Sequence, residues 1–187
     1  MNNGLRKNNY LFNLFSGPGY TGIVNCNNLN KNVHIKHALC ETIGKDIFNI
    51  SLIFSKSEVS RSSIFGHGTF LNLFMERVVK DNEIEIKDST GTTYIYNKIS
   101  GTSSLYECSE LQSKISLNIE TQDITLSDKH GNQFFFSNSV YPNKIETKDE
   151  KVFNITCLQN NISLITNTDN TFKIEFIYND ELVNEIR

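Results

Sequence analysis

The chain has 187 residues, of which 38% are hydrophobic and 21% are charged, and its formal net charge at pH 7 is −3. This length supports one domain with a buried core, and the slightly acidic balance gives no electrostatic attraction to nucleic acid or to an anionic membrane. No apolar run approaches the roughly 20 residues that cross a bilayer, so we predict neither a nucleic-acid partner nor a membrane span.

The composition favours strands. There are 13 Phe and 7 Tyr but no Trp, and aromatic and β-branched residues are enriched in strands, whereas the abundant Asn is favoured in turns. The cysteines are scattered without a C-x-x-C pair, so we expect free, mostly buried thiols and no disulfide scaffold. They are Cys26, Cys40, Cys108 and Cys157.

Residues 1–19 are rich in Asn and end in the turn signal Gly17-Pro18-Gly19, because Gly and Pro interrupt regular structure. We predict a flexible lead-in over this segment. Asn13 interrupts its apolar stretch, whereas a signal peptide needs about 7–15 apolar residues and a small-residue cleavage site. We therefore predict no signal peptide, and the sequence leaves the compartment unknown.

Short strands follow in the first half of the chain. The sequence predicts them over residues 20–24, 33–39 and 46–54. Alternation gives the third strand one wholly apolar face, which we expect to be buried; it carries Phe48, Ile50, Leu52 and Phe54. Residues 70–79 also fit a helical spacing, but strand neighbours on both sides favour a strand.

From residue 83 the alternation becomes regular and predicts β-hairpins. Residues 97–113 have a less ordered pattern, and alternation returns at 115–119. The predicted hairpins cover residues 83–96, 124–136, 144–157 and 162–176. A last strand over 182–186 has no return strand, so we expect the chain to end inside a repeat.

The turn residues Asp128, Asp149 and Asp169 are 21 and 20 residues apart, a period that corresponds to one hairpin per repeat. An isolated hairpin is barely stable in water, so such units must stack to bury a shared face. The predicted fold is therefore all-β, with antiparallel hairpin repeats that form a curved, open, meandering sheet.

The order of several motifs matches that of a known family. Phe65-Gly66-His67-Gly68 matches a Phe-Gly-x-Gly-Trp motif, with Thr69 in place of the tryptophan, and residues 89–96 and 126–136 match two hairpin motifs that follow it. Earlier motifs fall at residues 22–25, 29–33 and 50–57. Together these motifs resemble the N-terminal region of bacterial Rhs and YD-repeat proteins, including their wall-associated relatives. Lys151 and Thr171 stand where the repeat glycines are usual.

After the flexible lead-in over residues 1–19, the resemblance implies an Rhs N-terminal-like β region over 20–122 and YD-type hairpin repeats over 123–187. It implies a non-catalytic structural segment of a β-shell that would encapsulate or present a toxin or effector domain. The expected partners are the remainder of such a shell or other β edges, and the expected location is exported or on the cell surface. We expect no cofactor and no small-molecule ligand.

Histidine and cysteine residues raise the question of a metal site. His34, His37 and Cys40 are spaced three apart, with Cys26 upstream, and on a helix such spacing could bind zinc. On a strand, odd spacing puts His34 and His37 on opposite faces. Because the segment is predicted to be strand and loop, we assign no metal site.

Other polar residues have a simple structural interpretation. His67 lies between two glycines and could be catalytic, but it occupies a predicted turn, and His130 lies in a hairpin turn. Acid pairs could suggest acid–base catalysis or calcium binding, although alternating charges are usually the solvent face of a strand. These pairs are Glu83/Glu85 and Asp149/Glu150. We assign no catalytic residue and predict that the chain is not an enzyme.

Two alternatives stay open. The chain could be a free-standing β-rich binding module for a carbohydrate or a surface protein, with an exposed aromatic patch formed by Tyr94, Tyr96 or Phe135. It could also be an enzyme that uses His67 or the cluster of His34, His37 and Cys40.

Overall fold

The computed structural model describes the backbone of residues 9–17, 20–27, 32–41, 49–159 and 161–187, and the side chains of residues 33–39, 50–159 and 161–187. The described residues form antiparallel β-strands and contain no α-helix, only a 3-10 turn over Lys56–Glu58. The prediction of an all-β fold is therefore confirmed.

A five-stranded sheet is formed by the first part of the chain, in the order β1-β2-β3-β4-β7. Its strands are β1 (Asn9–Gly17), β2 (Tyr20–Asn27), β3 (Asn32–Glu41), β4 (Asn49–Ser55) and β7 (Thr69–Leu71). Strands β2 and β3 were predicted with shorter bounds, and β4 was predicted over 46–54, of which residues 46–48 lie outside the described part. Strand β1 was not predicted and lies within the segment interpreted as a lead-in, whose residues 1–8 are outside the described part.

The predicted single buried face of β4 is only partly correct. Ile50 is buried, but Ser51 and Ser55 on the opposite face are also fully buried. The Ser55 hydroxyl donates to the Thr90 carbonyl at 3.0 Å, and the Ser51 N–H donates to Asn72 Oδ1 at 2.9 Å, but the Ser51 hydroxyl has no hydrogen-bond partner among the described residues. Residues on both faces of β4 are therefore buried, so β4 is covered on both sides. Phe48 lies outside the described residues.

Residues 56–74 link the two main sheets. They contain a small hairpin, β5 (Ser62–Ser63) and β6 (Gly66–His67), and then strand β7. A turn at residues 72–74 leads into β8 (Met75–Val79). The single strand predicted over residues 70–79 is in fact two strands of different sheets, separated by this turn, and the helical alternative is wrong.

The second main sheet is a twelve-stranded meander in which every strand pairs with its neighbour in sequence, from β8 to β19. After β8 its strands are β9 (Glu83–Asp88), β10 (Thr93–Lys98), β11 (Leu105–Cys108), β12 (Ser113–Leu117), β13 (Ile124–Ser127), β14 (Gln133–Phe136), β15 (Lys144–Glu146), β16 (Val152–Leu158), β17 (Asn161–Asn167), β18 (Lys173–Asn179) and β19 (Leu182–Ile186). The open, meandering sheet and its predicted hairpins are confirmed. Strand β11 was missed. Strands β12 and β13 lie on either side of the predicted boundary at residues 122–123, and they pair with each other directly.

Strands β8–β14 curl around their own apolar face. The outer edge of β8 reaches the segment between β14 and β15, where the Met75 N–H donates to the Val140 carbonyl at 2.8 Å. The guanidinium of Arg77 donates to the Ser137 and Ser139 carbonyls at 3.2 and 3.3 Å. These three bonds, hereafter the latch, hold the curl together without strand pairing.

Two apolar clusters fill the molecule. The first joins the two main sheets, because Ile50 and Leu71 from the five-stranded sheet pack with Ile145, Ile165 and Ile174 from the later strands of the meander. The second lies inside the curl; its buried members among the described residues come from β9–β14, and Met75 and Leu111 pack against them. Its buried members are Ile84, Ile86, Tyr96, Tyr106, Cys108, Ile115, Leu117, Ile124, Leu126 and Phe136.

Candidate functional site

Five equivalent turns lie along one edge of the meander. In each, the N–H of the fourth residue donates to the carbonyl of the first, at 2.9–3.4 Å, and the fourth residue has a positive φ. The turns cover residues 88–91, 109–112, 128–131, 147–150 and 167–170. Their fourth residues are Gly91, Gln112, Gly131, Glu150 and Asn170. The shared geometry identifies one structural unit repeated five times.

A side-chain acceptor at the first residue stabilises four of these turns. Asp88 Oδ1 accepts from the Thr90 and Thr92 N–H groups at 2.9 and 3.0 Å, and Asp128 Oδ1 accepts from the corresponding pair at 2.8 and 2.9 Å. Thr147 accepts the N–H of Lys151, four residues on, and Asn167 accepts that of Phe172, five residues on. Asp, Asn and Thr favour turns through such bonds, so the sequence folds locally into this shape.

The structure corrects the alignment of the repeats. Asp128 is the first residue of its turn, whereas Asp149 and Asp169 are the third residues of theirs. The fourth residue of the turn is glycine in two of the five turns. In the last two turns this position is occupied by Glu150 and Asn170, which have positive φ, and not by the following residues Lys151 and Thr171. The period near 20 is confirmed, because successive turns begin 21, 19, 19 and 20 residues apart.

A buried charge cluster ties the first of these turns to residues 56–61. The carboxylate of Glu58, which is 7% exposed, pairs with Arg61 and with Lys87 Nζ at 3.0 Å. Arg61 also pairs with Glu76 at 2.8 Å, and its guanidinium lies 4.7 Å from the centre of the Phe70 ring. Burial alone would raise the pKa of Glu58, but hydrogen bonds and charge from Arg61 and Lys87 hold it below its usual value. Nothing in the sequence distinguishes Glu58 and Arg61 from surface charges.

A cavity of about 360 Å³ lies at the turn-lined end of the curl. Its walls include Met75, Ile86 and Leu126, and its rim includes Asp88 and Asp128 from two of the repeated turns. Sequence analysis missed this cavity, because the curl of the sheet creates it from turns 40 residues apart.

The proposed metal-binding alternative gains no support from the geometry. His34 and His37 are both half-buried on β3, where they pair with Ser55 and Leu52, and their odd spacing places them on opposite faces of a regular strand. Burial lowers the pKa of His34, and the charge of Asp88 opposes that shift. The side chains of Cys26 and Cys40 lie outside the described part. Within that part, no group of three His, Cys, Asp or Glu side chains could hold a metal ion.

The other polar candidates occupy surface positions. His67 Nδ1 lies 3.3 Å from the Ser62 hydroxyl on the exposed β5–β6 hairpin, and His130 is an exposed turn residue that lines the cavity. Glu83 and Glu85 both pair with Lys80, at 2.7 and 2.6 Å.

The remaining acid pair lies in the fourth of the repeated turns, where Asp149 and Glu150 are both exposed. Among the cysteines, Cys108 and Cys157 are free thiols, as predicted.

The three aromatic candidates do not form one exposed patch. Tyr96 is a core residue with 1% exposure, and its hydroxyl bonds with Ser113 at 2.8 Å. Tyr94 is half-buried against the second cluster. Phe135 lies on the other face of the sheet, where Lys144 Nζ is 4.2 Å from its ring centre. The expected patch of these three aromatics is therefore not formed, although Phe135 is partly exposed.

No protein family and no curated protein matches this chain significantly. No helix among the described residues is long and apolar enough to cross a membrane.

Proposed function

We propose that the chain is a non-catalytic structural segment of a repeat-built β-shell of the Rhs or YD-repeat type, which would encapsulate or present a toxin or effector domain. The observation that carries the proposal is the uninterrupted twelve-stranded meander with equivalent turns every 19–21 residues. A sheet built from one repeated hairpin can be extended by further hairpins that contact only their neighbours, as a continuous wall requires.

The two faces of the meander support this role. One rung of paired residues that crosses six strands is almost entirely buried and apolar: Tyr106, Ile115, Leu126, Phe134, Ile145 and Phe153. The adjacent rung on the other face is mostly polar: Leu105, Ser116, Thr125, Phe135, Lys144 and Asn154. Such two-sided alternation is typical of an antiparallel sheet with one packed and one solvated face.

The size of the native protein tests the proposal. An antibody against residues 123–187 would be used to probe the cells that make this chain, and the recovered band would be sequenced by mass spectrometry. We expect a band far above 21.4 kDa whose peptides include further hairpins of about 20 residues. A band at 21.4 kDa that migrates as a free monomer would contradict the proposal and favour an independent binding module.

A further inference from the structure

The curl formed by β8–β14 is not filled to its turn-lined end, where the cavity of about 360 Å³ lies. This volume falls within the range of small-molecule sites, which are concave and mostly apolar with a few precisely placed polar groups. Met75, Ile86 and Leu126 give the cavity apolar walls, and Tyr94 adds a half-buried aromatic ring. An occupant of this cavity must therefore have an apolar body.

The rim of the cavity carries an excess of negative charge. Asp88 and Asp128 line it, and backbone N–H bonds to Oδ1 fix both carboxylates in their turns. Burial raises the pKa of Tyr94, and the charges of Asp88 and Glu110 raise it further. The described residues that line the cavity include one lysine and no arginine, and this lysine, Lys129, is exposed.

We infer that this cavity binds a small organic ammonium ion, with its apolar body between Met75, Ile86 and Leu126 and its charged nitrogen at the rim lined by Asp88 and Asp128. A cation near the face of an aromatic ring is attracted by the ring quadrupole, and fixed carboxylates form charge-assisted hydrogen bonds with N–H donors. This inference goes beyond the proposed structural role and does not depend on it.

Methionine NMR provides a direct test. Met75 lines the cavity and is one of two Met residues in the chain, so the Met75 signal of a protein labelled at the methionine methyl groups reports on the cavity. The probe is 2-phenylethylammonium, and 2-phenylethanol is its neutral analogue. We expect a saturable shift of the Met75 methyl signal with the ammonium and roughly tenfold weaker binding of the alcohol, since one charge-assisted contact is worth about that factor.

A matched pair of variants separates charge recognition from folding. Asp88→Asn keeps the oxygen that accepts the turn bonds of Thr90 and Thr92 but removes the charge at the cavity. Asp169→Asn makes the same change in a turn that does not line the cavity, where Oδ1 accepts from Thr171. We expect Asp88→Asn to weaken binding of the ammonium about tenfold without changing binding of the alcohol, and Asp169→Asn to change neither. Equal affinity for the two probes, or no shift at Met75, would overturn the inference.

Discussion

Gly91 is the residue at which the row of turns meets the buried charge cluster. Its φ is +85°, and a Cβ at this position would overlap the side chain of Glu58. Glu58 is held by Arg61 and Lys87, so its carboxylate cannot move away without losing ion pairs. Gly131 occupies the equivalent position two repeats later with a φ of +90°, but there the nearest atom to a Cβ is 3.5 Å away on Lys148.

The two glycines therefore predict different costs for the same substitution. Gly131→Ala should lower the free energy of unfolding by about 1–2 kcal/mol, the cost of a left-handed conformation with a side chain. Gly91→Ala should cost about 1–3 kcal/mol more, because it also displaces a buried, charged hydrogen-bond acceptor. Urea unfolding of both variants measures the difference, and equal costs would show that the contact with Glu58 is unimportant.

Glu58 also predicts part of the dependence of stability on pH. Its pKa is lowered in the folded protein, so its contribution to stability is complete above the unfolded value of about 4.3. That contribution is lost as the pH falls through the lower, folded value. Glu58→Gln should therefore lower the free energy of unfolding at pH 7. As the pH falls from about 5 to about 3, the free energy of unfolding should decrease less in this variant than in the unchanged chain. Thermal unfolding across this range is the measurement, with the exposed Glu120→Gln as the control that should follow the unchanged chain.

At the scale of the elements, the length and clarity of the alternating pattern explain which strands could be predicted from the sequence. Hairpins with clear alternation, such as residues 83–96, were predicted because the pattern and the turn residues agree. Strand β11 was missed because Leu105 and Glu107 are exposed while Tyr106 and Cys108 are buried, an alternation too short to stand out. The cavity could not be predicted, since it depends on how far the sheet curls, and no local pattern encodes that.

Glu150 occupies the glycine position of its turn with a φ of +63°. Glu150→Gly should therefore stabilise the protein by about 0.5–1 kcal/mol, because relief of left-handed strain exceeds the greater entropy of glycine in the unfolded chain. Lys148→Gly changes the same turn at a residue without positive φ, and there only the entropic cost remains. Denaturant midpoints of the two variants should move in opposite directions, and a fall in both would contradict this interpretation of the repeat.

The latch makes a further prediction about β8. Arg77→Met removes two hydrogen bonds from a charged donor to the Ser137 and Ser139 carbonyls. The loss of each bond should lower the free energy of unfolding by no more than about 1.5–3 kcal/mol. We expect faster amide hydrogen exchange at Met75 and along β8, because the edge of the curl opens more often. Arg187→Met removes the exposed pair with Glu185 and should leave β8 unchanged. Unchanged exchange at β8 in Arg77→Met would mean that the curl does not need the latch.

At the scale of the whole molecule, the first apolar cluster makes the two main sheets interdependent. Leu71 on β7 is fully buried in this cluster together with Ile165 on β17. Leu71→Ala should lower the free energy of unfolding by about 2–5 kcal/mol. Hydrogen exchange should rise in β16–β18 as well as in β4 and β7, because the cavity left by the leucine adjoins both sheets. Exchange that rises only in β4 and β7 would show that the sheets unfold independently.

The sequential pairing of the meander also has a consequence for how the chain folds. Each strand finds its partner within about 20 residues, so each pairing closes a short loop at little entropic cost. The contacts that span the molecule, such as the bond from the Val183 N–H to the Ile64 carbonyl and the edge-to-face contact of Phe65 with Phe176, close loops of more than 100 residues. We expect the hairpins to form early, in any order, and the joining of residues 64–65 to β18 and β19 to be the slow, final step of folding.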